Sequence, residues 1–289
     1  MTFAAPLTFT KMEALGNDFV ILDERKVQHS DRKISLTTAF IQKIANRHRG
    51  IGCDQILILE DSLKADVKIF IFNADGSRAE MCGNGMRAVA LYLDNYINCH
   101  PELVSRSQKK MLKEVQGNTT LKLETDVGIL KAQVISPSQI KVSMGEVRMV
   151  KSIQHDGKEG LHINMGNPHT VFFGETVDDI DLKEWGPRIE NDPQFPQKTN
   201  VEFAEIIMPY QIKTRIWERG AGETLACGSG ACAVVLAYWH HFGVESDRTE
   251  VVMRGGALMI FQEGSEIYQE GPARFVFEGI LNPEFFHDE

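Results

Sequence analysis

The chain has 289 residues, 43% hydrophobic and 25% charged, the balance of an ordinary globular protein with enough apolar side chains for a substantial core. Its formal net charge of −9 argues against a general binder of nucleic acid or anionic membrane, which needs clustered Lys and Arg. Five cysteines are too few for a disulfide framework at this length, and without a C-x-x-C pair or an H-E-x-x-H spacing among the nine histidines no metal site is expected.

The opening "MTFAAPLTFTKM" lacks the basic start and long apolar segment of a secretory signal. No apolar run approaches the ~20 residues that span a bilayer. A cytoplasmic location without membrane association is the expectation.

In chain order, the first periodic stretch is "TTAFIQKIANRH", where Phe40, Ile41, Ile44 and Ala45 form one stripe and predict an amphipathic helix ended by "RGIG". "VKIFIFN" then alternates as a strand. Next comes "MCGNGMRAVALYL", a cysteine and two glycines running into an apolar helix whose only charge is Arg87. "SRSQKKMLK" (Ser105 to Lys113) is the one basic cluster and predicts a solvated loop or short surface helix. "TLKLET", "GILKAQVIS", "QIKVSM", "TVFF", "VEFAEIIM" and "QIKTRIW" follow as strands. "ACGSGACAVVLAY" repeats the cysteine-glycine opening and carries no charge up to Trp239; His240 and His241 close its helix, where the dipole favours positive charge. "VVMRGGALMIF" and "ARFVFEG" complete the strands.

Closely spaced strands predict mainly antiparallel sheet. A helix that is apolar all round must be covered all round, and strands are the covering elements at hand. The fold class expected is therefore α+β: two pseudo-symmetric halves, each a curved, mainly antiparallel sheet wrapped around a central apolar helix, with the active-site cleft between them.

The two cysteine segments are copies. Shifting by 145 aligns C-G-x-G-x-x-A-V-x-L, from Cys82 on Cys227 to Leu91 on Leu236, and also lays Gln55 on Asn200 and Asn73 on Glu218. Shifting by 150 lays "GNDFVIL" on "GNPHTVFF". Several matches in register at half the chain length point to an ancestral duplication.

A cysteine just before a helix sits near unpaired N–H groups and the positive end of the dipole, a setting that lowers a thiol pKa from about 8.5. The glycines let a ligand approach the backbone, and the same N–H groups suit a carboxylate. One such cysteine alone reads as a buried structural residue, the class to which Cys53, Cys99 and Cys232 are assigned. Two of them facing one cleft suit inversion at a carbon that bears a proton: one thiolate removes it and the opposite thiol delivers another. The helix N-termini would then stabilise the negative charge that develops. Other motifs fit less well. "GNGMRA" and "GSGACA" satisfy G-x-G-x-x-A, but the first follows a charged turn rather than a clear apolar strand. Neither cysteine has the flanking glycines of a nucleophile elbow, and a Cys-His protease needs no second copy.

On "ALGNDFVILD", "NADGSRAEMCGNGMRA", "NMGNPHTVFF", "TNVEF" and "WERGAGETLACGSGACA", in this order, the chain resembles the diaminopimelate epimerases, PLP-independent enzymes that interconvert LL- and meso-diaminopimelate for lysine and peptidoglycan synthesis. The resemblance runs from about Thr8 to "EGPARFVFEG". It implies Cys82 and Cys227 as the acid–base pair, with His169 and Glu218 flanking them. It implies substrate contacts at Asn17, Gln55, Asn73, Gly83 and Asn84, and at Asn167, Asn200, Glu218, Arg219, Gly228 and Ser229. Taken singly, each Asn among these also reads as a turn residue or a capped strand end. A zwitterionic substrate suits such neutral amides, with Arg219 for a distal carboxylate and Glu218 for an ammonium group.

The resemblance further implies no cofactor, a small-molecule amino-acid substrate, a homodimer, and halves spanning 1–128 (completed by about 273–289) and 129–272. The stretch from Asn98 to Thr120 is longer and more basic than the family pattern leads one to expect. Two other functions remain open: a racemase of another amino acid on the same scaffold, and a redox-responsive binding protein in which the two cysteines form a reversible disulfide.

Overall fold

The computed structural model describes residues 7–26, 37–99, 120–147, 149–174, 176–244 and 248–286. The chain divides into two compact units, Met1–Ile140 with Pro272–Glu289, and Lys141–Gly271. The basic cluster Ser105 to Lys113 lies outside the described residues, as does most of the Asn98 to Thr120 stretch.

The first unit opens with a hairpin of β1 (Leu7–Ala14) and β2 (Asn17–Asp23), whose turn places Leu15 and Gly16 at positive φ. Helix α1 (Thr38–Ala45) then carries the chain to β3 (Gln55–Glu60), which pairs parallel with β2. Thr37 caps α1 through its hydroxyl, and Phe40, Ile41, Ile44 and Ala45 are its buried face, as the stripe predicts. Strand β4 (Val67–Asn73) returns antiparallel to β3, and the short β5 (Arg78–Ala79) turns back along β4. Helix α2 (Gly83–Cys99) leads to β6 (Thr120–Thr125), parallel to β4, and β6 forms a hairpin with β7 (Gly128–Ser136). Parallel neighbours cannot be joined by a tight turn. Each parallel pair here accordingly has a helix in its crossover.

The second unit contains β8 (Gln139–Gly145), which begins at the end of the first, and then repeats the plan. It runs β9 (Met149–His155), β10 (Lys158–Asn164), β11 (Pro168–Phe173), α3 (Leu182–Glu190), β12 (Asn200–Met208), β13 (Gln211–Glu218), β14 (Gly222–Thr224), α4 (Gly228–Phe242), β15 (Arg248–Met253), β16 (Gly256–Glu263) and β17 (Glu266–Gly271). β11 pairs parallel with β12, β12 antiparallel with β13, β13 antiparallel with β14 and parallel with β15. β15 and β16 close as a hairpin. The last strand, β18 (Arg274–Leu281), returns to the first unit and pairs with β1.

Register makes the duplication concrete. Phe19 pairs with Gln55 in the first unit and His169 with Asn200 in the second, the two positions displaced by the 150 and 145 residues of the sequence repeat. Ile71 opposite Ala79 matches Ile216 opposite Thr224. Thr125 opposite Gly128 matches Met253 opposite Gly256, with φ of 131° and 135° at the two glycines. From Gly83 to Leu123 the chain needs 17 residues more than from Gly228 to Val251, which places the extra length in the basic stretch.

Each long helix is covered as its composition requires. Every residue of α4 from Gly228 to Tyr238 is buried, against β10 to β13 and β15 to β17. α2 packs on β1, β2, β7 and β18. Its one basic residue, Arg87, is fully buried, an expensive placement without partners. Its Nη2 donates to Asn84 Oδ1 at 2.8 Å and its Nε to the Pro272 carbonyl at 3.1 Å.

Three expectations change. A division at 128/129 would cut the β6–β7 hairpin, where Leu121 faces Ala132; the chain leaves the first unit only after Ile140. "VVMRGGALMIF" is two strands around a turn at Arg254 and Gly255 rather than one run. The helix Leu182–Glu190 is additional, and it stands where α1 stands in the first unit. Asp181 caps it by accepting from the Lys183 and Glu184 N–H groups.

Two candidate half-sites around Cys82 and Cys227

Both cysteines occupy the same local geometry. The Cys82 carbonyl accepts from Met86 N at 2.9 Å and the Cys227 carbonyl from Ala231 N at 3.0 Å, so each residue opens a helix. Cys227 is the N-cap of α4, with φ −129° and ψ 119°. In each copy the backbone N–H of the second glycine reaches the sulfur, Gly85 to Cys82 Sγ at 3.4 Å and Gly230 to Cys227.

In the first unit, the Cys82 thiol donates to Asn17 Oδ1 at 3.7 Å. Asn17 Nδ2 in turn donates to Asp54 Oδ2 at 3.0 Å. Arg47 spans Asp54 and Asp18, with its Nη2 2.7 Å from an oxygen of each. Lys11, nearly buried, adds an ion pair to Asp18 at 2.5 Å and donates to the Gly52 carbonyl. Gln55 Nε2 donates to Asn73 Oδ1 at 2.9 Å, and Asn73 Nδ2 to Ser77 Oγ at 3.0 Å. Gln55 Oε1 is buried without a partner among the described residues. Asn84 is almost fully buried and engaged with Arg87, while Gly83 is the first residue of α2.

In the second unit, His169 and Glu202 are both fully buried, with His169 Nδ1 2.6 Å from Glu202 Oε1. His169 Nε2 is 3.0 Å from Asn167 Oδ1, Asn167 Nδ2 is 3.3 Å from Ser229 Oγ, and Ser229 Oγ is 3.5 Å from Cys227 Sγ. Thr224 Oγ1 donates to Glu218 Oε1 at 2.6 Å, and Glu218 also meets the Cys227 side chain. Asn200 donates to the Pro168 carbonyl at 2.8 Å and accepts from the Arg219 backbone N–H at 2.9 Å. The exposed Arg219 guanidinium donates to the Gln197 carbonyl. Gly228 starts α4 with no room for a side chain: a Cβ there would lie 2.5 Å from Gln269 Oε1.

Electrostatics differ from the sequence-level expectation at Cys227. Burial pushes its thiol well above the ordinary value, and the nearby Glu218 and Glu202 carboxylates push the same way. The Ser229 hydroxyl and the Gly230 N–H pull it down, but desolvation is the larger effect. Burial also raises Glu218, opposed by the Thr224 hydroxyl and the His169 charge. A dry thiol held protonated until a ligand brings compensating charge is equipped to donate a proton, and with its helix N-terminus to receive one back.

Four residues not foreseen complete these half-sites: Arg47 and Asp54 in the first, Glu202 and Thr224 in the second. Glu202 left a trace in the sequence. It is a carboxylate two residues after Asn200 in the otherwise apolar "NVEFA", hence on the same strand face. Among the described residues no group of three or more His, Cys, Asp and Glu could hold a metal ion, and no helix is long and apolar enough to cross a membrane.

The family model described as diaminopimelate epimerase matches residues 9–150 and 161–276. The diaminopimelate epimerase of Carboxydothermus hydrogenoformans is 42% identical over 278 residues, covering 94% of this chain and 98% of its own. That of Acinetobacter baylyi is 36% identical over 300 residues, covering 97% and 99%. Among solved structures, a hydroxyproline epimerase from Agrobacterium vitis aligns with TM-score 0.66 at 14% identity, over 97% of this chain and 94% of its own. A Bacillus anthracis protein of the PhzF phenazine-biosynthesis family aligns with TM-score 0.66 at 14% identity, over 96% and 99%. These two likenesses concern the fold.

Proposed function

The chain belongs to the diaminopimelate epimerase family, and from that premise we propose that it interconverts LL- and meso-2,6-diaminopimelate through Cys82 and Cys227, in lysine and peptidoglycan synthesis. Inversion at the α-carbon requires a base on one face and an acid on the other. One cysteine as thiolate takes the α-proton, and the other as thiol supplies a proton to the opposite face. The roles exchange in the reverse direction.

The observation that carries this reading is the doubled helix-opening cysteine, each with a glycine N–H on its sulfur. The helix N-termini of α2 and α4 suit the substrate carboxylate beside the reacting carbon and the charge that grows on it as the proton leaves. Asn17, Gln55, Asn73, Gly83 and Asn84 on one unit, and Asn167, Asn200, Gly228 and Ser229 on the other, are assigned to substrate. His169 and Glu218 attend the cysteines. Arg219 is assigned to the distal carboxylate and Glu218 to an ammonium group. The working form is a cytoplasmic homodimer that uses thiol chemistry without PLP or metal.

Incubation with LL-diaminopimelate in deuterated water tests the reading. Solvent deuterium is expected at the inverted α-carbon, and Cys82→Ala and Cys227→Ala are each expected to abolish turnover in a folded protein. Full activity in either variant, or inversion without solvent exchange, would end it.

A further inference from the structure

The two units use one scaffold but fill one place differently. His169 on β11 corresponds to Phe19 on β2, and Glu202 on β12 corresponds to Leu57 on β3, by the shared register of the two parallel pairs. Phe19 and Leu57 back the second glycine of α2, and Glu202 backs that of α4. A Cβ at Gly85 would lie 3.4 Å from Phe19 and Leu57, and a Cβ at Gly230 would lie 2.8 Å from Glu202 Oε1. The first unit therefore supports a helix opening with an apolar pair. The second carries two ionisable groups in the same position, both fully buried. Folding does not demand them, and burying them is costly.

Their hydrogen bonds give the dyad a direction. Oxygen atoms face both ring nitrogens of His169, Glu202 Oε1 at 2.6 Å and Asn167 Oδ1 at 3.0 Å, so the imidazole is placed to donate from both. Asn167, accepting at Oδ1, must donate from Nδ2 to Ser229 Oγ. Ser229 then has its own proton free for Cys227 Sγ, which makes the sulfur an acceptor in the one side-chain hydrogen bond that works against the burial raising its pKa. With Nε2 as an acceptor instead, the chain reverses. Asn167 turns its amide, Ser229 donates to Asn167, and the Cys227 thiol must donate instead.

We propose that Glu202 is a positioning residue of the second half-site: its carboxylate fixes His169 as a double donor and thereby sets the polarity of the chain through Asn167 and Ser229 to Cys227. The second Glu202 oxygen has no partner among the described residues, so the imidazole is the group that receives its charge. The other titratable groups facing His169 are Glu218 on β13 and His162 on β10, and His162 is held below its ordinary value by burial and by the His169 charge. The inference rests on the epimerase reading only for its consequence in turnover, because the hydrogen-bond chain is built entirely from residues of the protein.

The test is the pH dependence of alkylation of each thiol by iodoacetamide, read by mass spectrometry on the free protein. In Glu202→Gln the midpoint for Cys227 is expected to rise by about one pH unit or more, with that for Cys82 unchanged. An unchanged Cys227 midpoint, or equal shifts at both cysteines, overturns the proposal. A second variant separates function from packing. His169→Phe with Glu202→Leu installs the apolar pair of the first unit and is expected to unfold at or above the parent temperature. Its Cys227 midpoint is expected to rise as in Glu202→Gln, and its kcat to fall at least a hundredfold. Retention of the parent midpoint in that stable variant would likewise overturn it. A loss of epimerisation by every protein, parent included, with the thiol shifts intact would instead refute the substrate reading and leave the positioning role standing.

Discussion

Asn17 Nδ2 donates to Asp54 Oδ2 at 3.0 Å, and this one bond decides which end of the Asn17 amide faces Cys82. With the NH2 group engaged, the carbonyl oxygen is left for the thiol. Asp54 is itself held by Arg47 at 2.7 Å. Asp54→Ala is expected to lower kcat/KM about tenfold or more, the scale of one lost orienting hydrogen bond to a charged group. The unfolding temperature should stay within a few degrees, because Asp54 is an exposed residue. Steady-state kinetics with thermal denaturation checks both, and an undiminished kcat/KM would remove Asp54 from the site.

Asp18 carries the pH dependence of the same network. Burial raises its pKa, but hydrogen bonds from Arg47 and Lys11 outweigh that and hold the carboxyl well below the usual range. A depressed folded-state value contributes stability above the unfolded value of about 3.9, and that stability is lost as pH falls through the folded value. Asp18→Asn is therefore expected to be less stable than the parent at pH 7, with the gap narrowing below about pH 4. Urea unfolding of both proteins at pH 7, 4 and 3 measures it, and a gap that widens with acid would contradict the assignment.

The two helix-opening glycines should respond differently to alanine. At Gly85 the added methyl meets Leu57 and Phe19 at 3.4 Å, an ordinary apolar contact, and alanine favours the helix. At Gly230 it meets Glu202 Oε1 at 2.8 Å and Ile216 at 3.2 Å, and that oxygen is pinned by His169. Gly230→Ala is expected to cost ~1–3 kcal/mol and most of the activity. Gly85→Ala should cost less than ~1 kcal/mol. Equal penalties in chemical denaturation would show that the buried dyad yields more readily than its geometry implies.

Thr224 tunes Glu218. Burial raises the Glu218 carboxyl and the Thr224 hydroxyl opposes it, so Thr224→Val should raise it further. The acid limb of the pH profile of kcat/KM, where Glu218 gains its charge, is expected to move to higher pH with the alkaline limb unmoved. A profile superimposable on that of the parent would mean that Glu218 is not the group titrating there.

Much of the fold was legible because its signals are local. The stripe Phe40, Ile41, Ile44 and Ala45 reports α1 directly, and the absence of charge from Cys227 to Trp239 reports that α4 is enclosed. The helix Leu182–Glu190 was not legible. Gly186 and Pro187 lie within it, and both residue types ordinarily argue against a helix. Gly186 is there for packing: a Cβ would lie 2.3 Å from Trp217 on β13, a strand legible in sequence whose contact with this helix is not.

The candidate site divides along the same line. The cysteines and glycines repeat in register and could be found from the chain alone. Glu202 and Asp54 act through one neighbour each, His169 and Asn17, and the pairings that make those contacts become visible only with the strands aligned. The pKa direction at Cys227 was misjudged for a related reason. A helix opening is visible in sequence, whereas the depth at which it is buried is not.

The return of β18 to β1 ties Thr10 to Glu278 across 268 positions, whereas the second unit is one uninterrupted span from Lys141 to Gly271. During synthesis on the ribosome the earlier-made unit must wait for the final residues before β1 gains this neighbour, while the later-made one already has all its own strands. Birth order and completion order are thus inverted, and a truncation of even the last fifteen residues strips a strand from the unit that was translated first.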